Sequence, residues 1–353
     1  RGLTFSGRDA GVVTYAAPPS APTVISFDKV ALTSNAGSIA LDGHISPGLR
    51  GDLELAARQV DLGRIGRALA LDTPLAGVAT VDANLDTTRG APIASLDVFG
   101  AGVVVGDQIP ATSGRIEVGL VRGALTIDSS LTTAGTGKAQ LRARVRAPRA
   151  PLDGRAWSRL RATAIESLEA EAVIDDPSTL THLHPEMPRH GRLVARASID
   201  GSQGRGTIVL DASSVKSSRL GEAADATIDI ELVGDRVITS ATGAVGERAS
   251  LSARATARLP RPWRDPAAWR DVQQALVTEA RVRAKGIDVD WWLAQSGVVT
   301  SPRAITVDAT FDLDSSTAGG PTGRLGISAR QPVGGPRTLT FATRTDVAVT
   351  VAP

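Results

Sequence analysis

Wherever the chain is regular, apolar and polar side chains alternate with a period of two. Ile116, Val118 and Leu120 alternate with Glu117 and Gly119, Ile228, Ile230 and Leu232 with Asp229 and Glu231, and Val347, Val349 and Val351 with Ala348 and Thr350. Thr, Val, Ile and Ala fill these runs while Gly, Pro, Asp and Ser punctuate them, which is the pattern of antiparallel strands with one apolar face. The chain is therefore expected to be mainly β. Two stripes of helical spacing interrupt the alternation. Trp157, Leu160, Ala164, Ile165 and Leu168 predict an amphipathic helix over 153–167, and Trp269, Val272, Leu276 and Ala280 predict a second over 265–279.

The alternating stretches recur. Segments beginning at Pro74, Pro188 and Pro302 align at a spacing of 114 residues, with Gly77 on Gly191, Ala83 on Ala197, and Leu85, Ile199 and Leu313 each followed by Asp86, Asp200 or Asp314. Each copy reads as a turn proline entering a long strand. Ahead of each proline stands another strand and a short helical connector, at 61–70, 175–183 and 288–295, where Asp61 and Asp175 are placed to cap the following turn. Residues 1–47 then read as the closing strands of a preceding repeat, 48–160 as repeat one, 161–275 as repeat two and 276–353 as a truncated repeat three. The predicted fold is a long curved antiparallel sheet of repeated units with an open groove and short helical connectors.

Composition narrows the chemistry. With no cysteine there is no disulfide framework, zinc ribbon, iron–sulfur site or thiol nucleophile. No apolar stretch approaches the roughly 20 residues of a membrane-crossing helix. Of the 39 basic residues only Lys29, Lys138, Lys216 and Lys285 are lysines; the arginines are interleaved with Asp and Glu, not gathered into blocks with aromatics, which speaks against nucleic acid as a partner. Aromatic residues make up 3% of the chain, so the apolar faces are built from Ala, Val, Leu and Ile. Such a face is apolar but thinly filled, which suits a curved sheet around a narrow groove better than a close-packed sandwich.

The stretch 75–92, with Leu75-Ala76-Gly77-Val78-Ala79-Thr80-Val81-Asp82-Ala83-Asn84-Leu85-Asp86, and its continuation through 114–118 and 123–128, resembles the repeats of large bacterial envelope proteins of the TamB and AsmA-like type. The resemblance covers most of the chain from about residue 48 and is one of style and repeat layout. It implies a bridge-like sheet in the periplasm of a diderm bacterium, with an apolar face for phospholipid acyl chains. It also implies a part in lipid transfer between inner and outer membranes, in outer-membrane protein assembly, or in both. The partners it implies are phospholipid, neighbouring repeats of a longer chain and an outer-membrane barrel protein. The inner-membrane anchor and the barrel-docking region of that family are not recognisable in these residues.

Alternation assigns the groove face. In repeat one it comprises Ala79, Val81, Ala83 and Leu85; in repeat two Leu193, Ala195, Ala197 and Ile199; in repeat three Ile305, Val307, Ala309, Phe311 and Leu313. Ile116, Val118, Leu120, Ile228, Ile230 and Leu232 join them on later strands. The competing expectation is that these residues form the closed, dry core of a structural β-repeat module, such as an adhesin.

Other chemistry is weaker. His182, His184, Glu186 and His190 have the donor types of a transition-metal site, but Pro185 and Pro188 interrupt them, and Ala68, Ala70 and Ala76 stand 114 residues before the three histidines; a solvated loop is the expectation, with no cofactor. The glycine-rich stretches 319–323 and 334–336 lack the Lys-Ser/Thr of a phosphate loop. Asp175-Asp176 and Asp288/Asp290 sit at connector starts, where capping accounts for them. The sequence is thus expected to be non-enzymatic; a β-rich hydrolase is the remaining alternative, weakened by the shortage of aromatics. Trp157, Trp269 and Trp291-Trp292 are expected to cover the sheet's edge or end, with contact to a membrane surface as the other reading.

Overall fold

The computed structural model describes residues 6–7, 11–16, 23–47, 50–88, 91–106, 110–158, 164–180, 190–216, 222–259, 277–295, 304–315, 322–333 and 337–348. The chain divides into two compact units, Arg1–Ala172 and Val173–Pro353. Both are antiparallel, and the helices between strands are short.

Unit one opens with β1 (Ser6–Gly7) and β2 (Val12–Ala16), which both lie against β3 (Val24–Ser34). It continues with β4 (Gly37–Ser46), β5 (Arg50–Asp61), helix α1 (Leu62–Ala68), β6 (Leu75–Asp86), β7 (Ile93–Val105), β8 (Thr112–Val121), β9 (Ala124–Thr133) and β10 (Gly137–Arg146). From β3 to β10 each strand pairs with its neighbours in sequence. No ladder among the described residues joins β10 back to β1 or β2, so the sheet is open. Helix α2 (Gly154–Ser158) and β11 (Ile165–Ile174) follow.

Unit two contains a 3-10 turn (Pro177–Leu180), then β12 (His190–Asp200), β13 (Arg205–Lys216), β14 (Ala224–Val233), β15 (Arg236–Val245), β16 (Ala249–Arg258), β17 (Val277–Asp288), helix α3 (Val289–Gln295), β18 (Thr306–Asp314), β19 (Thr322–Val333) and β20 (Arg337–Ala348). It too is a meander of sequential antiparallel neighbours.

The connectors form where the repeat places them. Asp61 accepts from the Arg64 N–H at 3.0 Å and starts α1; Asp288 accepts from the Trp291 N–H at 3.0 Å and starts α3. In the middle copy Asp176, not Asp175, caps the turn, accepting from the backbone N–H and the hydroxyl of Ser178. Asp175 is drawn to the Arg192 guanidinium, 3.0 Å away, instead. The helix expected over 153–167 is corrected at its end: α2 is described over Gly154–Ser158, 159–163 lie outside the described residues, and Ile165 onward is strand. Leu168, Ala170 and Ala172 fit a period of two as well as a helical stripe. In the strand, the Glu166 carboxylate reaches Arg144 and Arg146 of β10. The second such helix lies mostly outside the described residues, but Val277–Glu279 at its end belong to β17.

β-Bulges punctuate both sheets. Lys29, Gln59, Gly102, Ser214 and Gly286 all take positive φ between +48° and +63° at breaks in register. Four of these residues donate their backbone N–H to a side chain on the next strand: Lys29 to Asp42, Gly102 to Ser113, Ser214 to Asp225 and Gly286 to Asp308. Bulges bend strands and increase twist, so recurrent pinned bulges curve each sheet. Opposite two of them stand the matched glycines of the repeat. Gly77, at φ +99°, would bring a Cβ within 2.6 Å of the Gly102 carbonyl oxygen, and Gly191, at φ +113°, within 2.7 Å of the Val215 Cα.

Two outcomes follow. Gly191→Ala forces a Cβ into backbone at an unfavourable φ and should destabilise unit two by about 1–3 kcal/mol, read from denaturant unfolding; an unchanged midpoint would show that the bulge can relax. Asp308 is held below the usual carboxylate range, first by the Gly286 N–H and then by Arg330. A depressed folded value means the stabilisation is present above the unfolded pKa of about 4 and is lost as pH falls through the folded one. Asp308→Ala should therefore cost about 1 kcal/mol at neutral pH, a difference from wild type that closes in acid.

Candidate functional site

The register assembles the alternating positions into rows that cross the strands. In unit one a row runs Val30, Leu41, Leu55, Ala83, Leu96, Val118, Ile127 and Ala143 from β3 to β10. Beside it run Leu32, Ile39, Ala57, Val81, Val98 and Ile116 on one side, and Leu53, Leu85, Ala94, Leu120, Leu125 and Val145 on the other. Unit two repeats the arrangement with Ala195, Leu210, Ile228, Ala241, Ala253, Val282, Phe311 and Leu325 from β12 to β19. Flanking positions pair Ala197 with Ile208 and Ile230, Leu193 with Ala212 and Ala226, Ile199 and Leu232 with Gly206, Ala280 with Leu313, and Ala284 with Ala309.

Every residue that alternation assigned to the groove lies on one of these two faces except Ile305, which precedes β18 and is not part of its ladder. Its carbonyl accepts from Val289 at the start of α3, and Ala304 before it sits at φ +52°.

Few of these side chains are covered. Among the described residues the buried apolar set is small: Val30, Ala36, Ala57, Ala79, Leu120, Ala124, Val173, Val194 and Leu259. Leu96 is 39% exposed, Ile116 38%, Leu210 40% and Leu251 48%. Most of the remaining row residues are half-buried. Within each unit's described residues the rows are thus mostly half-buried to exposed, with Val30, Ala57 and Leu120 buried, in contrast to the inner layer of a sandwich, where facing side chains interdigitate at crystal-like density.

The other face of unit one is charged. Asp82, Asp97, Glu117, Asp128 and Arg142 stand in one row across five strands. Arginines answer the acids: Arg58 grips Asp82 with two hydrogen bonds of 2.5 and 2.6 Å, Arg115 holds Asp97 and Glu117, and Arg142 pairs with Asp128. The hydrogen bonds from Arg58 and Arg115 hold the carboxyls of Asp82 and Asp97 below their usual range. Two depressions, of about 680 and about 590 Å³, are lined by charged and aliphatic residues together, the first by Asp97, Arg115 and Glu117 with Leu96, Val118 and Ile127, the second by Lys29, Asp42 and Asp82 with Val30, Leu41 and Leu55. Sequence reading missed them because they depend on register: acids on four different strands meet only after pairing.

Of the metal-type residues, His182, His184 and Glu186 lie outside the described residues, and His190 is exposed at the first position of β12. No cluster of three potential ligands occurs among the described residues. Trp157 is half-buried and donates its indole N–H to the Pro151 carbonyl at 2.7 Å. Trp291 meets Trp292 edge-on with ring centroids 5.0 Å apart, and Trp292 remains 42% exposed; Trp269 lies outside the described residues. No helix among the described residues is long and apolar enough to cross a membrane.

No family model, curated protein or solved structure matches the chain.

The exposure of the rows can be tested by truncation. A leucine in a close-packed core loses about 3–5 kcal/mol on truncation to alanine. Leu210→Ala should cost less than about 1 kcal/mol, the loss of partial cross-strand contacts; a loss in the core range would show that another layer covers the face.

Proposed function

We propose that the chain is a non-enzymatic segment of a periplasmic protein of the TamB/AsmA-like type, and that the apolar rows of each unit carry phospholipid acyl chains between the inner and outer membranes. The observation that carries this reading is the continuity of half-exposed aliphatic side chains across eight strands in each unit. The sequence resemblance supports the same reading and the envelope location, with the inner-membrane anchor assigned to a region of a longer chain. Assembly of outer-membrane proteins is a further role that the resemblance implies.

Magnitudes make the role physically sensible. Each buried methylene contributes about 0.8 kcal/mol, so an acyl chain of roughly 15 methylenes needs on the order of 12 kcal/mol of substitute apolar surroundings to leave a bilayer. Rows of Ala, Val, Leu and Ile offer such surroundings without any bond-making step. Because no position along a row differs much from the next, a chain can move along it without a deep trap. The polar headgroup remains in water, and the open sheet leaves it room to do so.

The test is mass spectrometry of the protein purified under gentle extraction. Diacyl phospholipid should co-elute with it. Ala83→Arg combined with Ala197→Arg places a guanidinium in the central region of each face and should remove the lipid while the strand signal in circular dichroism is kept. Absence of lipid from the wild type, or unchanged lipid in the folded double variant, would sink the proposal.

A further inference from the structure

The polar face of unit two carries a cluster of cations that its register creates and that the acids among the described residues answer only in part. Arg254 on β16 stands directly opposite Arg281 on β17, and Ser252 stands opposite Arg283. Arg281, Arg283 and Lys285 follow one another at alternate positions of β17, all exposed. Side chains directly opposite in an antiparallel pair have Cβ atoms about 5 Å apart, and like charges there are destabilising. Asp312 pairs with Arg281, and Asp308, itself engaged by Arg330, lies near Lys285. Among the described residues the side chains of Arg254 and Arg283 have neither an ion pair nor a hydrogen bond.

The repeat supplies an internal comparison. Positioned 114 residues before Arg281, Arg283 and Lys285 are Ser167, Glu169 and Glu171. There the arginines of β10 are answered: Arg144 and Arg146 share Glu166, and Arg142 takes Asp128. Unit one thus balances its charged face, whereas unit two replaces the two glutamates by an arginine and a lysine beside a further arginine. A sheet does not need this arrangement for folding, since the equivalent strand folds with the opposite charge.

We propose that this cluster binds the phosphate groups of anionic phospholipid headgroups, docking the polar face of unit two on a membrane surface. Guanidinium groups engage phosphate oxygens through paired N–H donors, and an anion placed between Arg254, Arg281 and Arg283 relieves their repulsion. Ser252 on one side of Arg283 and Thr310 on the other add hydroxyl donors in the same cross-strand row. An acidic protein partner is disfavoured because the cluster has no apolar or aromatic anchor of the kind that dominates protein interfaces. Nucleic acid is disfavoured because no aromatic ring stands among these cations for a base to stack on. The site lies on the face opposite the apolar rows, so it does not depend on their carrying lipid.

The experiment is co-sedimentation of the full chain with vesicles of phosphatidylcholine alone or mixed with phosphatidylglycerol. The wild type should bind the mixed vesicles, weaken as salt is raised and leave the phosphatidylcholine vesicles unbound. Arg283→Glu with Lys285→Glu, which installs the side chains found at 169 and 171, should lower the affinity about tenfold or more. The same charge change made with Lys138→Glu and Arg155→Glu, at exposed positions of unit one, should lower it far less. Equal loss in both double variants, no loss in the first, or binding that ignores the anionic lipid overturns the proposal, as does capture of a single-stranded oligonucleotide without capture of vesicles. Lipid that co-purifies on the apolar rows should be unaffected by Arg283→Glu with Lys285→Glu, which separates failure here from failure of the transport reading.

Discussion

Strict alternation imposes one constraint on everything else: each sheet has an aliphatic face and a charged face, and they need different surroundings. A β-sheet normally meets the first need with a second layer. Within each unit few of the described row residues are fully buried, so the strands lean on backbone ladders and on side chains touching across them. Each cross-strand pair contributes about 0.2–1 kcal/mol. A row spanning eight strands sums many such small terms, which explains how aliphatic side chains can be half-exposed and still ordered. Small side chains suit this arrangement, because Ala and Val expose less apolar area per position than Phe or Trp would.

The charged face works by the same geometry with a different interaction. Arg58 with Asp82, Arg115 with Asp97 and Glu117, and Arg142 with Asp128 link side chains on neighbouring strands. Exposed pairs of this kind are individually weak, but they specify register: a slip of one residue would put arginines on the aliphatic face and leucines among the acids. The preference for arginine over lysine fits this role, because a planar guanidinium can bridge two carboxylates, as Arg248 does between Glu222 at 3.0 Å and Asp288 at 2.8 Å.

The strands, their faces and the connector positions were legible because they rest on local periodicity and on a repeat that aligns like with like. What escaped the sequence was non-local. Trp157 to Leu168 satisfies a helical stripe and Ile165 to Ala172 satisfies alternation, and the cross-strand partners Glu166 finds in Arg144 and Arg146, about 20 residues away, are not visible in the local pattern. Asp175 looked like the cap because it aligns with Asp61, but Arg192 competes for it and Asp176 takes the cap. The bulges at Lys29, Gln59 and Ser214 carry no glycine to announce them. The matched glycines at 77 and 191 were visible as a repeat feature, yet their reason lies on the facing strand. Arginines 254 and 281 looked dispersed along the chain until β16 and β17 paired them.

The bulges also bear on the proposed function. A flat sheet would leave an acyl chain in contact with one row of side chains and with water everywhere else. For the proposed acyl-chain ligand, curvature toward the aliphatic side would bring neighbouring rows toward the same chain and raise the apolar area each methylene meets. Each pinned bulge takes its hydrogen bond from the following strand: Asp42 on β4, Ser113 on β8, Asp225 on β14 and Asp308 on β18. These four side chains lie on the polar side of their strands, so curvature is set without placing any polar group among the aliphatic rows. The charged face thereby shapes the apolar one, and under the proposed role a substitution at Asp225 or Asp308 would act on a bound acyl chain without touching it.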